Sequence, residues 1–235
     1  MWIWLIAYTI DYGPIKSDNS GKHNFRKLPF TAREIKDIQE QLDQQHYTTT
    51  ILRGKQATEV AFRRVSGQKN KILHIATHGY FERTNQITSG NTNNLIEPTL
   101  PLTRCRLAFA GANNRLNHIG NLENDGILTA QEITGLDLTG TDLVVLSACE
   151  SGLGVVNIFE GIQGFQRAFT LAGAKYVLVS LWTISDQHTA LLMRHFYQHL
   201  VAGDNKNTAL MKAQLDIKAV NKSPYYWAGF MIIHG

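Results

Sequence analysis

Hydrophobic positions along the chain follow two periods. Near-continuous apolar runs at residues 2–9, 47–51, 72–77, 143–147, 176–180 and 228–233 predict six β-strands. A run with little polar alternation is the pattern of a strand covered on both faces, so several of these belong at the centre of a mostly parallel sheet. Between the runs the period lengthens: Ile35, Ile38 and Leu42 recur at helical spacing, as do Leu192, Phe196 and Leu200 behind Ser185, a residue suited to cap a helix. Strands alternating with amphipathic helices predict an α/β fold with helices on both faces of the sheet.

Two stretches break this rhythm. Residues 82–104 are rich in Asn, Thr, Gly and Pro and have no sustained period, which predicts a long surface loop of the kind that covers a site. Residues 111–126 are also irregular and end in Asp125-Gly126, a turn signal. The opening MWIWLIAYTI is apolar, but it lacks a basic leader and has about half the length needed to span a bilayer, so it is expected to be a buried strand.

Composition narrows the picture further. A chain of 235 residues suits one domain over 1–235, and 43% hydrophobic against 18% charged residues supplies a core rather than a disordered chain. The net charge of +4 is spread out, with no basic run beyond Arg63-Arg64, so neither nucleic acid nor membrane is expected as a direct partner. Two cysteines, Cys105 and Cys149, cannot build a disulfide framework and have no metal-site spacing, so no metal is expected and a reducing, cytoplasmic setting fits.

Chemistry concentrates at two predicted strand ends, Ile72-Leu-His-Ile-Ala-Thr-His78-Gly79 and Leu143-Val-Val-Leu-Ser-Ala-Cys149-Glu-Ser-Gly152. In open α/β sheets, functional groups gather beyond the carboxyl ends of the strands, so neighbouring parallel strands would present an imidazole and a thiol to one crevice. An imidazole that takes the thiol proton makes a strong nucleophile, and acyl transfer is the reaction such a pair suits. Attack on an amide creates an oxyanion, for which the backbone N–H groups of Gly79 and Cys149 are the expected donors. His74, four residues before His78 on the same run, competes for the role of base; the glycine after His78 favours His78.

Other residues carry weaker signals. Gly152-Leu-Gly154 lacks the third glycine of a dinucleotide fingerprint and no P-loop lysine follows, which argues against nucleotide binding. Glu150 is placed along the cleft, and Glu160 at a helix start. His188, His195 and His199 share one predicted helix and are read as solvated or capping rather than metal-binding, while Phe165, Phe169 and Leu171 are read as packing residues. Cys105 is read as a buried small hydrophobe, although Arg104 and Arg106 beside it would depress its pKa if it were exposed.

HIATHGYF, DGILTAQEI, LVVLSACESGLG, EGIQGFQRAFTLAGAKYVLVSLWTISD and YYWAGFMIIHG, in that order, resemble the CHAT domain, a caspase-like module often attached to tetratricopeptide repeats. The resemblance covers nearly the whole chain. It implies a caspase-like three-layer α/β/α sandwich around a mostly parallel six-stranded sheet, with His78 and Cys149 on the family's catalytic dyad and Gly79 on its oxyanion glycine. Trp182 and Asp186 match the segment after the fifth strand, and in separase-like relatives an acid in a similar segment receives a basic side chain, which makes Asp186 the expected specificity residue. The activity implied is that of a cysteine endopeptidase cutting a protein substrate in a bacterial signalling or defence pathway, with no cofactor. Many CHAT domains carry further sequence upstream of residues 2–9, and tetratricopeptide repeats or other regulatory partners would then lie outside this chain. Two rivals stand beside this reading: a catalytically silent caspase-fold interaction module, and a thiol hydrolase acting on a small amide or ester.

Overall fold

A computed structural model of the protein describes residues 2–6, 10–14, 25–81, 101–116, 125–147 and 158–235. In chain order the first half contains β1 (Trp2–Ile6), α1 (Thr31–Gln44), β2 (Thr48–Leu52), α2 (Glu59–Arg63), β3 (Asn70–Ile75), β4 (Gly79–Phe81), α3 (Pro101–Arg104), β5 (Cys105–Ala108), α4 (Ala112–Leu116) and β6 (Ile127–Thr129). The second half contains α5 (Ala130–Ile133), β7 (Leu143–Leu146), α6 (Ile158–Leu171), β8 (Tyr176–Ser180), α7 (Asp186–Val201), α8 (Lys206–Val220), α9 (Pro224–Trp227) and β9 (Phe230–His234).

Six strands form one sheet in the order β2-β1-β3-β7-β8-β9, and only β9 runs antiparallel to its neighbour. The expected mostly parallel sheet is therefore present, each strand falling within about two residues of its apolar run except at the end of the first, where residues 7–9 lie outside the described residues. The two-sided burial read from the sequence has a direct counterpart. Along β7, Leu143 and Val145 pack with Ile35, Ile38, Leu192 and Phe196 of α1 and α7, whereas Val144 and Leu146 pack with Phe62, Phe165 and Phe169 of α2 and α6. Alternate side chains of one strand thus enter two separate cores, which is what makes a three-layer sandwich. Strand β1 is less covered than expected, because Trp2 at its start is exposed.

A second sheet escaped the sequence reading. Strands β4, β5 and β6 form an antiparallel three-stranded sheet whose Phe81, Cys105, Leu107 and Leu128 close the core over α6. Each has three or four residues, too few for a period to register. The stretch 82–104 is likewise not irregular to its end, since Pro101–Arg104 form a helical turn; residues 82–100 lie outside the described residues. The Asp125-Gly126 turn is present, with Gly126 at φ +81°, and a Cβ there would come within 2.3 Å of the Ala112 backbone nitrogen. Phe165 and Phe169 are buried as expected, but Leu171, at the exposed end of α6, is not a packing residue.

Candidate active site

The chain leaves the central sheet after Ile75 and enters the small sheet at Gly79, so His78 stands at the junction of the two. Two hydrogen bonds hold this junction: the Ala76 N–H donates to the Ile6 carbonyl at 2.8 Å and the Ala108 N–H donates to the His78 carbonyl at 2.9 Å. Thr77 is pinned behind it, sharing a hydrogen bond with the Tyr12 hydroxyl at 3.1 Å and donating to the Ala108 carbonyl. The imidazole is enclosed by aromatic rings, with the Tyr12 and Phe25 centroids 5.2 and 5.4 Å from its own, and is only 8% exposed.

One contact fixes the chemistry of that ring. His78 Nε2 lies 2.7 Å from the Arg26 carbonyl oxygen, which can only accept, so Nε2 carries the proton and Nδ1 keeps its lone pair. Burial pushes the His78 pKa below the ordinary 6.5, and the bond to Arg26 opposes this only in part. The ring is therefore a neutral base with its free nitrogen defined by the fold.

His78 lines a cavity of about 140 Å³ with Leu28, Ser147, Thr183, Ile184, Asp186 and Thr189. Ser147 follows β7, and its N–H donates to the Ile75 carbonyl at 2.9 Å, which ties the carboxyl ends of the adjacent parallel strands β3 and β7 together. A cavity thus lies beyond the carboxyl ends of these two neighbouring strands. Ser147 Oγ is buried without a hydrogen-bond partner among the described residues, a condition that costs about 1–3 kcal/mol unless another group, a ligand or water supplies one. Asp186 opens α7, directly after the Ser185 cap. It accepts a 2.7 Å hydrogen bond from the Phe30 N–H at Oδ2, while burial, aided by the nearby Glu34 charge, raises its pKa. An acid held up in this way gains from a cation placed beside it.

The remaining expected site residues fall differently. Gly79 starts β4 next to His78, paired with Leu107. Trp182 does not line the cavity; its Nε1–H donates to the Tyr225 carbonyl at 2.9 Å and its ring packs close to Gly229, where a Cβ would come within 3.0 Å of it. Cys149 and Glu150 lie outside the described residues, two and three positions beyond Ser147. His74 is no rival base. It is fully buried, with Nε2 2.9 Å from Glu34 Oε1 and Nδ1 3.1 Å from the Tyr197 hydroxyl.

Sequence reasoning missed Leu28, Thr183, Ser147 and the backbone of Arg26 and Phe30. Ser147 had a visible signal, as the one polar residue closing an apolar run; the backbone groups had none, because a carbonyl acceptor carries no residue signature. Among the described residues, no cluster of three or more His, Cys, Asp or Glu side chains could hold a metal ion, and no helix is long and apolar enough to cross a membrane.

The geometry agrees with the comparison to known sequences. A family model, described as the CHAT domain, matches residues 14–235. The chain belongs to the CHAT domain family. That family is caspase-like, and this CHAT domain has the corresponding six-stranded sheet between helical layers. Its sequence is also similar to tetratricopeptide repeat protein 28 of Homo sapiens, 36% identical over 110 residues. The Mus musculus protein of the same name matches to the same extent. These matches span 46% of this chain but 4% of either relative. Both relatives are mammalian, so they lend nothing to the bacterial setting expected from the sequence.

Proposed function

We propose that residues 1–235 form one cysteine endopeptidase domain in which Cys149 is the nucleophile and His78 its general base. The observation that carries this reading is the His78 ring itself: neutral, with Nε2 committed to Arg26, and lining a cavity shared with the end of β7, two residues before Cys149. In the reaction, the Cys149 thiol passes its proton to His78 Nδ1 while sulfur attacks the peptide carbonyl carbon. The tetrahedral oxyanion is met by the Gly79 and Cys149 amides; collapse breaks the C–N bond, with the proton going from His78 to the leaving amine. Water then hydrolyses the thioester, returning the thiol.

Asp186 directs the preference. A basic side chain entering the 140 Å³ cavity would meet its carboxylate and the unpartnered Ser147 hydroxyl, so cleavage after Arg or Lys is expected, with Trp182 and Glu150 as outer contributors. The substrate is a partner protein, and the likeness to tetratricopeptide repeat proteins supports association with repeats of that type, in a signalling or defence step. A peptidyl electrophile with arginine at the position before the reactive carbon tests the assignment. It should modify Cys149 in the native protein and not in His78→Ala, and Asp186→Asn should erase its advantage over the leucyl analogue. Modification of Cys149 at an equal rate in His78→Ala would refute the dyad and leave the binding module as the better reading.

A further inference from the structure

Three elements set the polar groups around His78 and Asp186: β3 leads to His78, the segment before α1 offers the Arg26 carbonyl and Phe30 N–H, and α7 begins with Asp186. One buried cluster joins all three. His74 of β3 contacts Glu34 of α1 through Nε2 at 2.9 Å and Tyr197 of α7 through Nδ1 at 3.1 Å, and all three side chains are fully buried. A carboxylate only accepts, so His74 Nε2–H donates to Glu34, and the Tyr197 hydroxyl donates to Nδ1. The second Glu34 oxygen, Oε2, has no partner among the described residues.

From Glu34 the connection to the cavity is short. Its N–H donates to the Phe30 carbonyl at 2.9 Å, and the Phe30 N–H donates to Asp186 Oδ2 at 2.7 Å. Thr31 Oγ1 donates to the Leu28 carbonyl at 2.7 Å, so the turn that places Leu28 against the cavity is fixed from the same end of α1.

We propose that Glu34, His74 and Tyr197 are positioning residues for the CHAT cavity, a buried polar strut that holds the α1 entry segment so that Arg26 meets His78 and Phe30 meets Asp186. The strut touches neither substrate nor reacting atoms. A buried polar cluster specifies one packing arrangement because the alternatives leave its groups unmet. An apolar contact of equal area would permit α1 to slide against β3. The reading of Asp186 as a specificity residue underlies the kinetic half of the test, and the spectroscopic half is independent of it.

The experiment compares the native chain with Glu34→Ala, Glu34→Gln and Tyr197→Phe. Resonances of ¹⁵N-histidine report whether His78 keeps its Nε2–H form, and those of ¹³C-aspartate report the Asp186 pKa. Glutamine retains an oxygen that accepts from His74, whereas alanine does not. Glu34→Ala should therefore mix the His78 tautomers and raise the Asp186 pKa as the Phe30 N–H withdraws, whereas Glu34→Gln, which keeps the acceptor but loses the charge, should retain the single His78 form and bring the Asp186 pKa to or below its native position. A role through charge alone predicts the reverse: removing the Glu34 carboxylate lowers the Asp186 pKa, equally in both variants. On arginyl peptides, Glu34→Ala should raise KM about tenfold or more and leave the KM of leucyl peptides unchanged. If Glu34→Ala does not fold, Tyr197→Phe removes one bond at constant ring volume and should move both resonances in the alanine direction by a smaller amount. Native-like signals in Tyr197→Phe, or matching Ala and Gln variants, overturn the proposal. Spectra that respond as expected in a chain that cleaves nothing would instead count against the peptidase reading and leave the strut standing.

Discussion

At the scale of single residues, the site depends on the environment of His78 rather than on the presence of a histidine. Nine histidines occur in the chain, and what distinguishes His78 is a ring among Tyr12 and Phe25 with one nitrogen bound to a carbonyl. A carbonyl, unlike a carboxylate, gives the imidazolium little support, so burial dominates and the pKa falls below 6.5. The sign of the kinetic consequence follows. As the proposed base, His78 would act when unprotonated, and a lowered pKa keeps it unprotonated to lower pH. The rate at which a peptidyl electrophile modifies Cys149 should hold steady as pH is lowered through 6.5 and decline only below it. A half-point at or above 6.5 would mean that His78 is not the titrating base. His74 shows how much of this was legible in sequence. The glycine after His78 favoured it over His74 on the same run, but the burial and bonding of each ring depend on Glu34, Tyr197 and Arg26, which are distant in the chain.

At the scale of elements, legibility followed length. The central strands read correctly because Leu143–Leu146 and Tyr176–Ser180 are apolar on both sides, a pattern that only two-sided burial requires. The helix behind Ser185 read correctly because its cap is local: the Ser185 side chain accepts from the His188 N–H. The small sheet did not, since its strands are brought together from residues 79, 105 and 127 by contacts that no local period encodes. That sheet contains a titration of its own. Glu59, in α2, is buried and accepts from the Gly126 N–H at 2.7 Å, beside Asp125 and Glu132, with Arg63 3.6 Å from its other oxygen. Burial chiefly, with the neighbouring acids, raises its pKa from 4.5 to about 7. Between those values the folded chain holds a proton that the unfolded chain has lost, so stability declines as pH rises from 4.5 to 7 and is level above. The shift corresponds to about 3 kcal/mol at most. Glu59→Gln, which keeps an acceptor for Gly126, should flatten this part of the stability profile in urea titrations. An unchanged slope would assign it to another group.

At the scale of the whole molecule, the layer that holds Cys105 sets its reactivity. Cys105 opens β5, is fully buried in the core between the small sheet and α6, and contacts solvent nowhere, so the arginines on either side of it confer no reactivity while the fold is intact. Reaching its sulfur requires opening that core, which contains residues from β3, β7 and β8 as well. Because these strands are the middle of the central sheet, such an opening approaches global unfolding rather than local fraying. Iodoacetamide should therefore add one equivalent to the native chain, at Cys149, and a second, at Cys105, only as denaturant populates the unfolded state. With a stability of about 5 kcal/mol, the low end for natural domains, native Cys105 would react some thousands of times more slowly than in the unfolded chain. The Cys105 rate then measures the fold while the Cys149 rate measures the site. A substitution such as His78→Ala that slows Cys149 with no change at Cys105 has acted on the chemistry, whereas one that accelerates Cys105 has loosened the sandwich. Rapid native labelling of Cys105 would contradict the two-core architecture, and with it the separation of reactive from structural thiol.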